Sequence, residues 1–170
     1  MRLTNFRMSL LAAWLGLAIY FSGVVAPAAF SVLRSFNLAN ANEIAGTIVS
    51  RALSVVNKSG LVISLLLLVT APAVRKHYGR RLFIFQNVLV IAIAILTAAG
   101  EWLIAARMRG LRAVMQGHID QIPLDDPNRV AFAALHGYSV ATLGVAMIAA
   151  LVAILLMGVA RKQAVSPLNK

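Results

Sequence analysis

Three strongly ionisable residues interrupt the long apolar segments of this 170-residue chain: Lys58, Glu101 and His136. An ammonium, a carboxylate and an imidazole can pair with one another, hold a cation or pass a proton. Each is costly inside a membrane, so an ionisable group there is a candidate functional site by default. Lys58 and Glu101 form the expected ion pair. One reading of that pair is a structural clamp and the other a relay or cation-coordinating site. His136 is read either as a headgroup-level histidine bonded to a carbonyl or to Glu101, or as a ligand for a metal or a haem iron. One intramembrane histidine cannot supply both axial ligands of a bis-His haem, so haem would need a second copy of the chain. Met108, Met115 and His118 sit at offsets zero, seven and ten, close to one helical face. Soft thioether and imidazole donors suit Cu(I), and the same spacing suits the apolar face of a surface helix.

Other chemistry is missing from the sequence. There is no cysteine, which excludes disulfides, thiol catalysis and Cys-ligated metal centres. No motif for a Ser or Thr nucleophile, a P-loop, a dinucleotide site or a HExxH zinc site occurs. No catalytic residue is assigned, the expected role is non-enzymatic, and the cofactor is left open.

The elements that must position these residues are four apolar segments, at about 8–30, 53–74, 82–106 and 130–160. Apolar residues make up 61% of the chain and charged residues 12%, against about 25% charged in ordinary soluble domains. Such a chain cannot cover a water-soluble surface. It reads as a single all-α domain over residues 1–170, an integral membrane four-helix bundle, with surface segments at 34–52 and 107–129. The uncharged run Met8–Ala26 has spanning length, so it reads as a retained first helix rather than a signal peptide cleaved near Ala26-Pro27-Ala28. Asn40 and Glu43 have capping-box spacing, which starts a helix near Ala41 and carries it through Arg51 into the second segment. Asp126-Pro127 reads as an N-cap followed by proline at the first helical position.

The net charge of +11 comes from basic residues clustered at segment ends, as at lipid headgroups. A basic groove with interleaved aromatics is absent, so nucleic acid is not an expected partner. The expected partners are the lipid bilayer and a second copy of the chain or another membrane protein. With both termini inside, nine basic residues lie on the inner side and seven on the outer. The tight cluster Arg75, Lys76, Arg80 and Arg81 argues most strongly for that orientation.

Depth follows from helical rise. Lys58 lies ~26 Å from Arg75, Glu101 ~30 Å from Arg81 and His136 ~37 Å from Arg161, at ~1.5 Å per residue. Because the hydrocarbon core is ~30 Å thick, Lys58 and Glu101 share one level near the outer boundary, and His136 lies beyond them. Trp102 and Tyr138 flank them as an interfacial belt would. Gln86, Thr97 and Glu101 fall on one side of the third segment, and Asn57 and Ser64 on one side of the second. Both polar lines are expected to face inward and to bond between helices. Small-residue spacings at Ala12 and Gly16, Ala94 and Ala98, and Gly137 and Ala141 mark expected helix contacts.

Gly16, the run Gly23-Val-Val-Ala-Pro27-Ala-Ala-Phe30-x-x-Leu33, and Ala45-Gly46 resemble the first half of the bacterial proteins grouped with eukaryotic transmembrane protein 205. Phe132-x-x-Leu135-His136-Gly137-x-Ser139 resembles that family's opening of helix four. The resemblance spans about residues 14–154. It implies a four-helix membrane protein of a domain of unknown function, distantly related to the copper-resistance protein D-like superfamily. Haem-linked protoporphyrinogen oxidases of that superfamily carry an intramembrane histidine in the first helix, and the first segment here has none.

The reading that results is a multi-pass protein of the cell membrane, the inner membrane if the cell is bacterial, that handles a small cation or metal through Glu101 and His136. The alternatives are an accessory subunit that binds lipid or a partner, and a haem-binding oxidoreductase. For the orientation, a reporter fused to the C-terminus should be active in the cytoplasm; activity only outside it would reverse the assignment.

Overall fold

The computed structural model describes residues 2–75, 78–115 and 117–165, with the backbone alone for 160–165. Four helices carry the chain: α1 (Arg2–Ser35), α2 (Ala41–Val69), α3 (Arg80–Val114) and α4 (Pro127–Val165). Each contains a stretch long and apolar enough to cross a membrane, and no strand occurs among the described residues. The protein is an all-α, multi-pass membrane bundle. Helices adjacent in sequence are adjacent in space, and α4 closes the ring against α1. Short connections make neighbouring helices antiparallel. One end of the bundle therefore gathers Arg7, Arg75 and Arg80, and the other gathers Glu101 with the connections before α2 and α4.

The helices outrun the apolar segments. α1 begins at Arg2, and α3 continues to Val114 through the basic stretch after Ala106. Backbone hydrogen bonding continues past the apolar segment because arginine, leucine and alanine are good helix formers. α2 begins at Ala41, as its cap spacing indicates, but the Asn40 side chain makes no capping bond. Glu43, the other half of that box, is engaged elsewhere. At α4 the Asp126 Oδ1 accepts bonds from the Asn128 and Arg129 amides at 2.9 and 3.0 Å. α2 stops at Thr70, because Pro72 has no amide to continue the ladder. A short turn, Ala71–Val74, follows, and Gly79 enters α3 in an extended conformation.

Two helices are locally widened. Phe21–Val25 in α1 and Ala99–Ile104 in α3 are π-helical. The first lies just before Pro27, and the Ala26 amide reaches back to Phe21 O. It absorbs the hydrogen bond that proline cannot make. The second contains no proline and carries Glu101. Such single widened turns recur at functional sites.

Trp14 anchors the core. It is buried among Leu11, Val56 and Ile93, and its Nε1 donates to Val56 O at 2.9 Å, where it binds α1 to α2. The indole lies against Gly60. A Cβ at that position would come within 2.7 Å of Trp14 Nε1 and 2.9 Å of Thr97 Cγ2. Three helices meet there, and only glycine leaves the room. α4 supplies a small-residue surface from Ala146, Ala149, Ala150 and Ala153, all buried.

The expected small-residue contacts are mostly not the real ones. Ala94 is buried, but Ala12, Gly16, Gly137 and Ala141 lie exposed on the outside of the bundle. In a chain this rich in alanine the spacing does not single out a face. Bulky Leu11, Trp14 and Leu15 decide which side of α1 turns inward. The outward faces carry residues such as Ile19, Val62, Ile95, Ile148 and Leu155, as a lipid-facing surface requires.

Among the residues that define the inner basic side, Lys76 and Lys170 lie outside the described residues, as do the side chains of Arg161 and Lys162.

Substituting Gly60→Ala should destabilise the detergent-solubilised protein by roughly 1–3 kcal/mol, the usual range for overpacking a close contact. A thermal melt would register this; an unchanged midpoint would mean that the indole does not fix this crossing.

Candidate functional site

Glu101 projects from the widened turn of α3 into the interface with α2 and is 5% exposed. Its Oε1 takes two partners from successive turns of α2. Ser54 Oγ donates at 2.9 Å, and Lys58 Nζ lies at 3.3 Å. Ser54 and Lys58 are four apart, so one helical face delivers both. The other carboxylate oxygen, Oε2, is buried and has no hydrogen-bond partner in the protein. Asn57 lies on the same face of α2, opposite Gly100. A Cβ on Gly100 would come within 3.1 Å of Asn57 Nδ2. The glycine lets α2 and α3 approach closely enough for Glu101 to reach its partners.

The two members of the ion pair are not alike. The Lys58 side chain is 57% exposed and that of Glu101 only 7%. Lysine can extend its stem along apolar surface and keep the ammonium at the boundary. The ammonium is therefore an approachable and displaceable partner of a largely enclosed carboxylate. The chemistry of the group is that of a hard oxygen site, from a carboxylate with one committed and one uncommitted oxygen and an adjoining hydroxyl.

His136 is not brought to this group. It lies on an exposed part of α4 and makes no hydrogen bond to Glu101. Among the described residues, no three His, Cys, Asp or Glu side chains approach closely enough to hold a metal. The described histidines also give no pair of haem ligands within one chain, because His118 is committed to Glu43 and His136 stands alone.

The Met108, Met115 and His118 alignment does not survive either. α3 ends at Val114, Met115 is extended with ψ 119°, and Gly117 takes φ +87°. That positive φ suits glycine and turns the chain off the helical axis. The register that would stack the three residues stops before two of them. Met115 is buried, and His118 Nδ1 lies 2.7 Å from Glu43 Oε2.

Glu43 is the hub of a polar cap over this end. Its Oε1 accepts from Arg112 Nη2 at 2.8 Å, and the same guanidinium donates to Met115 O and Gly117 O. Asn42 bridges Arg34 and Asp120 beside it. These bonds tie the connection between α3 and α4 to the first turn of α2.

The polar lines on α2 and α3 do turn inward. Asn57, Ser64, Gln86 and Thr97 are all buried. Of the two lines, Glu101 bonds across the helices to Ser54 as expected, and these four do not. Thr97 Oγ1 returns to Ile93 O and Ala94 O of its own helix, and Ser64 Oγ and Gln86 Oε1 have no partner in the protein.

Arg7, which resembles an ordinary flanking cation in the sequence, is 1% exposed. Its Nη1 donates to Leu67 O at 2.5 Å and to Thr70 Oγ1 at 2.6 Å. Both acceptors lie at the C-terminal end of α2, where the helix dipole favours a cation. The signal for this role is the position of Pro72, which fixes where α2 ends and its carbonyls need donors. Nearby, burial holds the Tyr78 hydroxyl above its ordinary pKa, with Arg7 acting in the opposite sense.

The pair predicts an asymmetric response. Lys58→Met leaves an enclosed carboxylate with Ser54 as its one partner, whereas Glu101→Gln removes the buried charge. Lys58→Met should therefore destabilise more than Glu101→Gln. The coupling in the double variant should be about 0.2–1 kcal/mol because the lysine is exposed. Equal losses from both single variants, with no coupling in denaturation of the purified protein, would contradict the pairing.

The model of the family described as Domain of unknown function (DUF4149) matches residues 9–116. That range holds Glu101, Lys58, Ser54 and the Trp14 crossing, and it ends before α4. No curated protein and no solved structure matches the chain.

Proposed function

The chain belongs to this DUF4149 family of unknown function, and we propose that it handles a small hard cation at Glu101 without catalysing a reaction. One observation carries the reading: a nearly enclosed carboxylate has one oxygen shared by Ser54 and Lys58 and the other without a protein partner. In this reading Lys58 is a tethered counter-ion. It neutralises Glu101 while the site is empty of cation and swings aside when one arrives. Oxygen donors favour sodium, magnesium or calcium over copper. We further infer that the Glu101 end faces outward and both termini inward, in the cell membrane and, in a bacterium, the inner membrane. The distribution of basic residues supports this orientation. Kinship with the transmembrane protein 205-like proteins and the copper-resistance protein D-like superfamily belongs to the same proposal. It rests on the runs Gly23–Leu33 and Phe132–Ser139.

A second reading is an accessory subunit that presents its capped end to a membrane partner. The bonds linking Glu43, Arg112 and His118 favour it, because they hold the outer connection as a fixed surface.

Cation binding to the purified protein separates the two. Dialysis against sodium, magnesium and calcium, followed by metal analysis, should recover one cation per chain. Glu101→Gln should abolish it, and Lys58→Met should tighten it by removing the tethered competitor. Equal cation content in the parent and Glu101→Gln would sink the cation reading and leave the accessory one.

A further inference from the structure

The end of the bundle opposite Glu101 has cations and no acidic side chain to meet them. All five acidic residues of the chain are Glu43, Glu101, Asp120, Asp125 and Asp126. Glu43 opens α2, Glu101 sits in the widened turn of α3, and the three aspartates lie in the connection before α4. Arg7 is bonded to the Leu67 carbonyl and the Thr70 hydroxyl at the end of α2. Arg75 and Arg80 are exposed, and neither joins a salt bridge among the described residues.

These two arginines line an open cleft of about 790 Å³ together with Pro72, Tyr78, Phe83 and Ile84. Its construction follows from the local sequence. Pro72 ends α2 and starts the turn that carries Arg75. Gly79 then directs the chain into α3, so Arg80 opens that helix with its uncapped amides beside it. Tyr78 stands edge-on to Phe83, with ring centroids 6.4 Å apart. The tyrosine is 9% exposed, and its hydroxyl is buried beside Gln86 and Arg7, so it is not offered to the cleft. Phe83 and Ile84 belong to the spanning part of α3, and Ile84 is 52% exposed on its outer face. The cleft thus has a cationic mouth at the end of the bundle and an apolar wall that continues onto the lipid-facing surface.

We propose that this cleft binds the phosphate headgroup of an anionic phospholipid. Arg75 and Arg80 offer forked donors that match phosphate oxygens. The amide dipoles at the start of α3 favour the same charge. A free phosphate would use the arginines and ignore Phe83 and Ile84. A lipid uses both, because its acyl chain runs along the apolar wall while its headgroup stays at the level of the arginines. Basic pockets of this kind at the ends of spanning helices are suited to anionic lipids. The proposal does not depend on the cation reading of Glu101.

The test uses the full chain in a neutral detergent at fixed ionic strength, with dioctanoyl phosphatidylglycerol, dioctanoyl phosphatidylcholine and inorganic phosphate as probes, read by native mass spectrometry. Phosphatidylglycerol should bind at least about tenfold more tightly than phosphatidylcholine, and phosphate at the same concentration should not displace it. Arg75→Gln with Arg80→Gln should remove that preference, as expected for lost charge-assisted bonds. Arg51→Gln with Arg107→Gln, which removes equal charge at the other end, should leave it intact. Equal binding of the two lipids to the unaltered chain would overturn the proposal, and that comparison decides the matter even if the Arg75/Arg80 variant fails to purify. Displacement by phosphate, or equal loss in both double variants, would overturn it as well.

Discussion

The crossing of Trp14, Gly60 and Thr97 sets the register of the bundle. The indole donates to the carbonyl of Val56 and fills the notch that Gly60 leaves, with the Thr97 methyl beyond it. Once α2 is locked in this register, Ser54, Asn57 and Lys58 fall opposite Gly100 and Glu101. A slip of one residue would rotate α2 by about 100° and carry its polar face away from the carboxylate. In lipid the hydrophobic effect does not choose between such registers, because the alternative to a packed helix face is hydrocarbon. Close packing and satisfied polar groups must choose instead.

From that register the bundle divides into two ends with opposite electrostatic character. The Glu101 end holds every acidic side chain, and two of its cations pair with them: Lys58 with Glu101, and Arg112 with Glu43. The Arg7 end holds no acidic side chain. There the chain uses the Leu67 carbonyl and the Thr70 hydroxyl at the end of α2 for Arg7, and it leaves Arg75 and Arg80 exposed. The bundle thus has internal ion pairs at one end and exposed arginines with no acidic side chain near them at the other.

Much of this was legible in the chain itself. Four apolar runs give four helices, the cap signals locate the starts of α2 and α4, and helical rise puts Lys58 level with Glu101. The polar faces of α2 and α3 are also visible from spacing. What could not be read depends on contacts between helices. Arg7 looks like a headgroup anchor until the end of α2 is placed beside it. Gly60 is one glycine among 11, and only the indole against it gives it meaning. The widened turn at Ala99–Ile104 has no proline to announce it. Met108, Met115 and His118 line up on an ideal helix, but the real one ends at Val114, where Gly117 turns the chain and Glu43 captures the histidine.

In the proposed function the Glu101 carboxylate exchanges its lysine partner for a cation. Infrared difference spectroscopy tests it at the group itself. Adding sodium, magnesium or calcium to the purified protein should shift a carboxylate stretching band, and the shift should vanish in Glu101→Gln. A spectrum in which no carboxylate band responds to any of the three cations, or in which the same band responds in Glu101→Gln, would contradict the claim.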